Sequence, residues 1–163
     1  MISSKNKEAL SIAYAAVIAA VYVVLTLIFA PISYGPIQVR VSEALCVLPI
    51  FTPAAIPGIF IGCLLANALG GAIIWDVVFG SLASLAAAYI SYLFRSKRVL
   101  AYLSPIVINA LVVPFVLKYA YGAEDMIWYM MFTVAAGEII SVGILGSILS
   151  IVLEKYRGIL FRE

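Results

Sequence analysis

The run LSIAYAAVIAAVYVVLTLIF, Leu10 to Phe29, decides the class of this protein. It holds no charged residue, and its length matches the ~20 apolar residues needed to cross the hydrocarbon core of a bilayer. Lys5 and Lys7 stand just ahead of it, as in a secretion signal, but the run is long enough for a full span and is expected to be retained as a helix. Similar runs recur to the end of the chain. Of its 163 residues, 66% are hydrophobic and 11% charged, a composition that suits lipid as the solvent. The polar stretches between runs are too short to fold separately, so one domain over 1–163 is expected.

Working outward from the first run, the pattern predicts an all-α integral membrane protein. Six transmembrane helices are expected, at about residues 8–29, 39–52, 55–70, 73–94, 99–119 and 127–154. Pro49, Pro53 and Pro57 interrupt the second and third, whose halves are each short for a crossing. A re-entrant hairpin fits that stretch as well.

Basic residues cluster at Lys5 and Lys7, at Arg95, Lys97 and Arg98, and at Lys155, Arg157 and Arg162. Even numbers of crossings separate the three clusters, so the positive-inside rule places all three, and both termini, in the cytoplasm of a multi-pass cell-membrane protein. The opposite side receives the segment Ala30 to Arg40, the Gly70-Gly71 turn and the loop Tyr119 to Asp125. Trp75, Tyr119, Tyr121, Trp128 and Tyr129 then stand like an interfacial aromatic belt.

Small residues recur every fourth position at Gly58, Gly62, Ala66 and Gly70, a stripe that lets another helix approach closely. The first helix repeats the spacing in Ala15 with Ala19 and Ala16 with Ala20. Packing within the chain and docking of a partner are both open for these stripes.

The chain has no histidine, and Cys46 and Cys63 lie in apolar segments without further ligands nearby. No metal site or disulfide framework is expected. There is no GxxxxGK[ST] loop to bind ATP, no H-E-x-x-H helix and no G-x-S-x-G elbow, so an enzyme is not expected. A solute-binding membrane chain without its own motor requires an ion gradient or a partner.

A few polar residues sit where lipid penalises them: Arg40, Glu43, Asn67, Asp76, Asn109 and Glu138. An ionisable group in a bilayer costs ~3 kcal/mol or more, so such groups face a bundle interior and serve a ligand, a pathway or a structural pair. From the topology, Arg40, Glu43, Asn67 and Asp76 lie within about two turns of the outer surface and Asn109 and Glu138 deeper. Arg40 and Glu43, spaced i, i+3, also suit mutual neutralisation, and Asp76 also suits a helix N-terminus. Glu138 has no Lys or Arg within four residues. Acceptors exceed donors in this set, as a cationic or NH-rich ligand requires. A carboxylate accepts two NH hydrogens side by side from the edge of a guanine-like base, and a nearby ring such as Trp75 offers a stacking face.

Several stretches together resemble one family. They are Gly35-Pro36-Ile37-Gln38-Val39-Arg40-Val41-Ser42-Glu43-Ala44-Leu45, Leu48-Pro49, Thr52-Pro53-Ala54-Ala55-Ile56-Pro57-Gly58, Gly62-Cys63-Leu64-Leu65-Ala66-Asn67, and Asp76-Val77-Val78-Phe79-Gly80-Ser81-Leu82-Ala83. With Pro105-Ile106-Val107-Ile108-Asn109-Ala110 and Gly137-Glu138, they look like the queuosine-precursor transporter family, the substrate-binding S components of energy-coupling-factor importers. The resemblance implies a six-helix S-component bundle with a pocket near the outer face. It also implies a 7-deazaguanine ligand, either the aminomethyl precursor or queuine. The implied partners are a transmembrane coupling protein and two ATPase subunits, which use the ATP, so this chain needs no cofactor of its own. No nucleic-acid partner is expected. In S components small alanines of the first helix dock on the coupling protein, which makes Ala15, Ala16, Ala19 and Ala20 docking candidates.

On this resemblance Glu138 or Asp76 reads the amino edge of the base, and Glu43 meets a ligand amine or orders the outer loop through Arg40. Gln38, Asn67 and Asn109 take the remaining ring heteroatoms. Two other readings stay open: an S component for another vitamin-like heterocycle, and a self-sufficient proton-coupled carrier with Glu138 as its titrating group.

Overall fold

The computed structural model describes residues 4–33 and 38–160, and every element among them is helical. Gly35, Pro36 and Ile37 of the outer segment, and Arg162 of the last basic cluster, lie outside the described residues. In chain order the elements are α1 (Ser4–Ile28), α2 (Ala30–Ser33), a 3-10 helix (Val41–Ile50), α3 (Ala55–Leu69), α4 (Ile74–Leu93), α5 (Arg98–Tyr119) and α6 (Ile127–Glu138). A π-helical stretch (Ile139–Gly146), α7 (Ser147–Lys155) and α8 (Arg157–Leu160) follow. α1, α4, α5 and the continuous run Ile127–Lys155 are each long and apolar enough to cross a membrane.

The 3-10 helix departs from the α-helix expected over 39–52. Ten residues in 3-10 form extend about 20 Å, against about 15 Å for an α-helix, and make a thinner rod. That shape threads the middle of the bundle, where Ser42 through Ile50 are all buried and the rod touches α1, α3, α4, α5, the π stretch and α7. Side chains on α1 fasten it. Thr26 donates to Ser42 Oγ at 2.7 Å, and the Tyr22 hydroxyl donates to Glu43 Oε1.

The glycine stripe of α3 packs on α1. A Cβ at Gly58 would lie 2.8 Å from the Ala15 carbonyl oxygen, and one at Gly62 would lie 2.7 Å from Tyr22 Cβ and 3.1 Å from Ala19 Cα. The two alanine pairs of α1 therefore separate. Ala15 and Ala19 face α3, whereas Ala16 and Ala20 are exposed.

Pro105, inside α5, leaves the Ala101 carbonyl without its usual i+4 donor. Ser91 of α4 supplies one at 2.7 Å, and Ser104 in turn donates to the Ala87 carbonyl at 2.9 Å. In lipid, where water cannot serve a freed carbonyl, such serines let a helix keep an interior proline.

One end of the bundle collects the basic clusters. Arg98 pairs with Glu154 at 2.7 Å, the Tyr14 hydroxyl donates to the Leu160 carbonyl at 2.6 Å, and the Arg157 guanidinium lies 5.9 Å from the Phe51 ring. The other end joins the turn before α4 to the loop after α5 through Tyr121. The 3-10 helix runs between these ends, from Arg40 to Phe51.

Candidate functional site

Inside the bundle α4, α5 and α6 each contribute two residues one turn apart to a single polar cavity. α4 and α6 run toward the end that gathers the basic residues and α5 runs away from it, so these pairs fall into two tiers, an inner one nearer the basic end and an outer one nearer the Tyr121 end. The inner tier holds Ser84, Asn109 and Glu138; the outer tier holds Gly80, Val113 and Val134. Gln38 and Arg40 cover the cavity from the segment before the 3-10 helix. That segment lies flat on α6, because Gly137 has no side chain: a Cβ there would sit 2.3 Å from the Gln38 carbonyl oxygen. The Val39 N–H donates to the Ile32 carbonyl at 3.1 Å and ties the same segment to α2.

The cavity measures about 10 Å³, room for about one water. A ring-sized ligand enters only if a wall of this cavity moves, whereas the side chains of the inner tier already meet one another. Asn109 Nδ2 donates to Glu138 Oε1 at 2.8 Å. Glu138 Oε2 is buried and has no hydrogen-bond partner among the described residues. A buried acceptor without a donor costs about 1–3 kcal/mol, and a ligand N–H would offset that cost.

Asp76 and Asn67 stand behind Gly80, nearer the outer end. Tyr121 donates to Asp76 Oδ2 at 3.1 Å and accepts from the Ile73 N–H at 3.3 Å. Burial, and then the neighbouring Asp76 carboxylate, raise the Tyr121 phenol above its ordinary value. A proton held more tightly when folded stabilises the fold fully below about pH 10, and this contribution fades as pH rises through the folded value. Tyr121→Phe is expected to remove that alkaline sensitivity and to cost about 1 kcal/mol at neutral pH. Thermal unfolding of both proteins at pH 7 and above pH 10 checks this.

Not every residue singled out in the sequence joins the cavity. Glu43 is on the 3-10 helix with both oxygens engaged, one by Tyr22 and the other by the Cys46 thiol at 2.9 Å. It is held by the protein itself, where the sequence reading has it meet a ligand amine or order the outer loop through Arg40. Arg40 lines the cavity and acts electrostatically on Glu43, Asp76 and Glu138. Trp75 is 57% exposed and stacks on Phe79 at 6.0 Å. With Leu111, Phe115 and Tyr119 it lines a larger, almost wholly apolar groove of about 420 Å³ between α4 and α5. Trp75 and Tyr119 bring the only side-chain polar atoms to that groove, whereas the smaller cavity gathers Gln38, Arg40, Ser84, Asn109 and Glu138 without Trp75.

Sequence reasoning missed Gly80, Ser84, Val113, Val134 and Tyr121 as site residues. Gly80 and Ser84 carried a signal in their i, i+4 spacing on the helix opened by Asp76, whereas the valines carried none.

A family model described as "QueT transporter" matches residues 12–155. The protein named Queuosine precursor transporter QueT of Lactococcus lactis subsp. cremoris (strain MG1363) is 40% identical over 84 residues, 50% of this chain and 48% of that relative. The alignment thus spans about half the length of the relative. No solved structure matches.

Proposed function

The chain belongs to the QueT transporter family, and from that premise we propose that it is the substrate-capture subunit of an energy-coupling-factor importer for a 7-deazaguanine queuosine precursor. The observation that carries the reading is the buried pair Asn109–Glu138 in the wall of a small polar cavity, with Glu138 Oε2 left without a partner among the described residues. A carboxylate with one oxygen fixed and the other open suits the adjacent N–H groups of a guanine-type edge. Ser84 and Gln38 supply further polar contacts, and Val113 and Val134 flank the ring.

The chain works as one domain of six crossings with both termini in the cytoplasm. The basic residues gathered at one end support that orientation. The 3-10 helix and α3 make the second and third crossings, shielded from lipid by their neighbours where they are short. ATP is bound and hydrolysed by two partner subunits, and a transmembrane coupling protein links them to this chain.

Docking falls to Ala16 and Ala20, the exposed pair, because Ala15 and Ala19 already pack on α3. Ala20→Trp is expected to abolish uptake in cells carrying the coupling module while changing ligand affinity of the isolated chain less than about twofold, since the residue lies far from the cavity. Uptake at the wild-type rate would exclude this face as the docking surface.

Equilibrium binding of 7-aminomethyl-7-deazaguanine, queuine and guanine to the purified chain in detergent tests the function. Tight binding of a deazaguanine, with guanine much weaker, is expected. Binding of none of them by folded protein would remove the ligand assignment.

A further inference from the structure

Asp76 and Asn67 flank the outer tier without belonging to the inner one, and both face Gly80. A Cβ at Gly80 would lie 3.0 Å from Asp76 Oδ1 and 3.2 Å from Asn67 Nδ2. Gly80 itself lines the cavity, so the missing side chain leaves the wall thinnest where these two groups stand. Asn67 is 1% exposed, and its Oδ1 has no hydrogen-bond partner among the described residues. Tyr121 holds Asp76 by Oδ2 and leaves Oδ1 turned toward Gly80. Of the other carboxylates, Glu43 is occupied by Tyr22 and Cys46, and Glu138 belongs to the inner tier.

We infer that Asp76, reached past Gly80 and positioned by Asn67, is the acceptor for a cationic substituent on the bound base and sets the preference for an ammonium-bearing ligand over its neutral relatives. The inference rests on the reading that the inner tier holds a planar base. With the polar edge of the ring on Glu138, Asn109 and Ser84, the ring lies between Val113 and Val134. A short substituent on its far side then points outward over Gly80. A carboxylate oxygen suits an ammonium group, which carries three donors and no acceptor, and Asn67 positions the carboxylate through Nδ2, which donates to the Asp76 main-chain carbonyl at 3.4 Å. A neutral nitrile brings only an acceptor to the same place and gains nothing from Asp76.

The test compares 7-aminomethyl-7-deazaguanine with 7-cyano-7-deazaguanine, which share the ring and differ in the substituent. Their affinities are measured for the wild-type chain, Asp76→Asn, Asn67→Ala and Gly80→Ala in detergent. Asp76→Asn is expected to weaken the aminomethyl ligand about tenfold or more, the scale of a lost charge-assisted hydrogen bond, and to leave the cyano ligand unchanged or tighter. Asn67→Ala shows the same selectivity with a smaller loss. Gly80→Ala weakens both ligands by closing the gap. Retained cyano binding shows that Asp76→Asn and Asn67→Ala are folded, and a thermal unfolding transition like that of the wild type shows it for Gly80→Ala. Equal loss of both ligands in Asp76→Asn, or no loss of either, would overturn the assignment. Binding of neither ligand by the wild-type chain would overturn the deazaguanine reading itself, and this assignment with it.

Discussion

Glu138→Gln is expected to weaken binding of a 7-deazaguanine about ten- to a hundredfold while leaving the empty protein as stable as before, or more so. The affinity loss follows from replacing a charge-assisted, two-point acceptor by a neutral amide that presents one oxygen and one NH₂. Hydrogen bonds to charged groups contribute about 1.5–3 kcal/mol, and about 1.4 kcal/mol is a factor of ten. The stability gain comes from the same atoms. Glu138 is 5% exposed, and its Oε2 has no partner among the described residues. Gln occupies the same volume, keeps an oxygen for the Asn109 amide and removes a carboxylate that the bundle does not fully satisfy. A group retained at a cost to folding is the mark of a binding site. Thermal unfolding without ligand and equilibrium binding, measured on the same preparation, separate the two effects. Unchanged affinity would remove Glu138 from the site, and a large drop in stability would make it a structural residue.

How much of this was legible in the sequence depends on which force set each feature. α1, α4, α5 and the run Ile127–Lys155 follow from apolar length alone, because lipid demands it whatever the neighbours do. The 3-10 helix was not legible. Pro49 announced a departure from regular α-helix, but the choice of a longer, thinner rod depends on the width of the channel left by surrounding helices. The polar residues were visible as anomalies in an apolar chain, and the structure brings Asn109, Glu138, Gln38 and Arg40 around one cavity. Their roles were less visible. The i, i+3 spacing of Arg40 and Glu43 suggested local pairing, whereas Glu43 accepts from Tyr22, 21 residues earlier in the chain. The four alanines of α1 read as two equivalent stripes, and only the position of Gly58 and Gly62 shows which of them is already used. Trp75 looked like a stacking platform because it precedes Asp76, yet on a helix adjacent residues point about 100° apart.

Gly137→Ala is expected to carry the largest effect per atom added, because the added methyl group meets backbone. Its Cβ would fall 2.3 Å from the Gln38 carbonyl oxygen and 2.9 Å from the carbonyl carbon. No rotamer change relieves a clash with main chain, so either α6 withdraws or Gln38–Arg40 lifts. Withdrawal is opposed at two points that follow the residue. Asn109 holds Glu138 at the next position, and Gly146 further along packs so tightly that a Cβ there would meet Val47 Cγ1 at 2.8 Å. The covering segment is extended chain rather than helix at 38–40, joined to α2 through the Val39 N–H to the Ile32 carbonyl and to the 3-10 helix through the Glu43 N–H to the Arg40 carbonyl, and as the part outside the helices it yields first. Lifting it takes Gln38 and Arg40 off the cavity while the inner tier stays in place. The expected result is a stability loss of about 1–3 kcal/mol from overpacking, with ligand dissociation accelerated about tenfold or more as the cover no longer seats. Gly146→Ala supplies the contrast: it crowds the buried, β-branched Val47 side chain and neither residue lines the cavity, so it lowers stability without changing dissociation. A cysteine at position 38 reports the movement directly, since native Cys46 and Cys63 are buried. Labelling of Gln38→Cys by a water-soluble thiol reagent should be slow with Gly137 in place and fast when Gly137→Ala is combined with it. If Gly137→Ala leaves both the labelling rate and the dissociation rate unchanged, the Gln38–Arg40 segment is not the cover of this site, and entry to Glu138 must be sought between the helices instead.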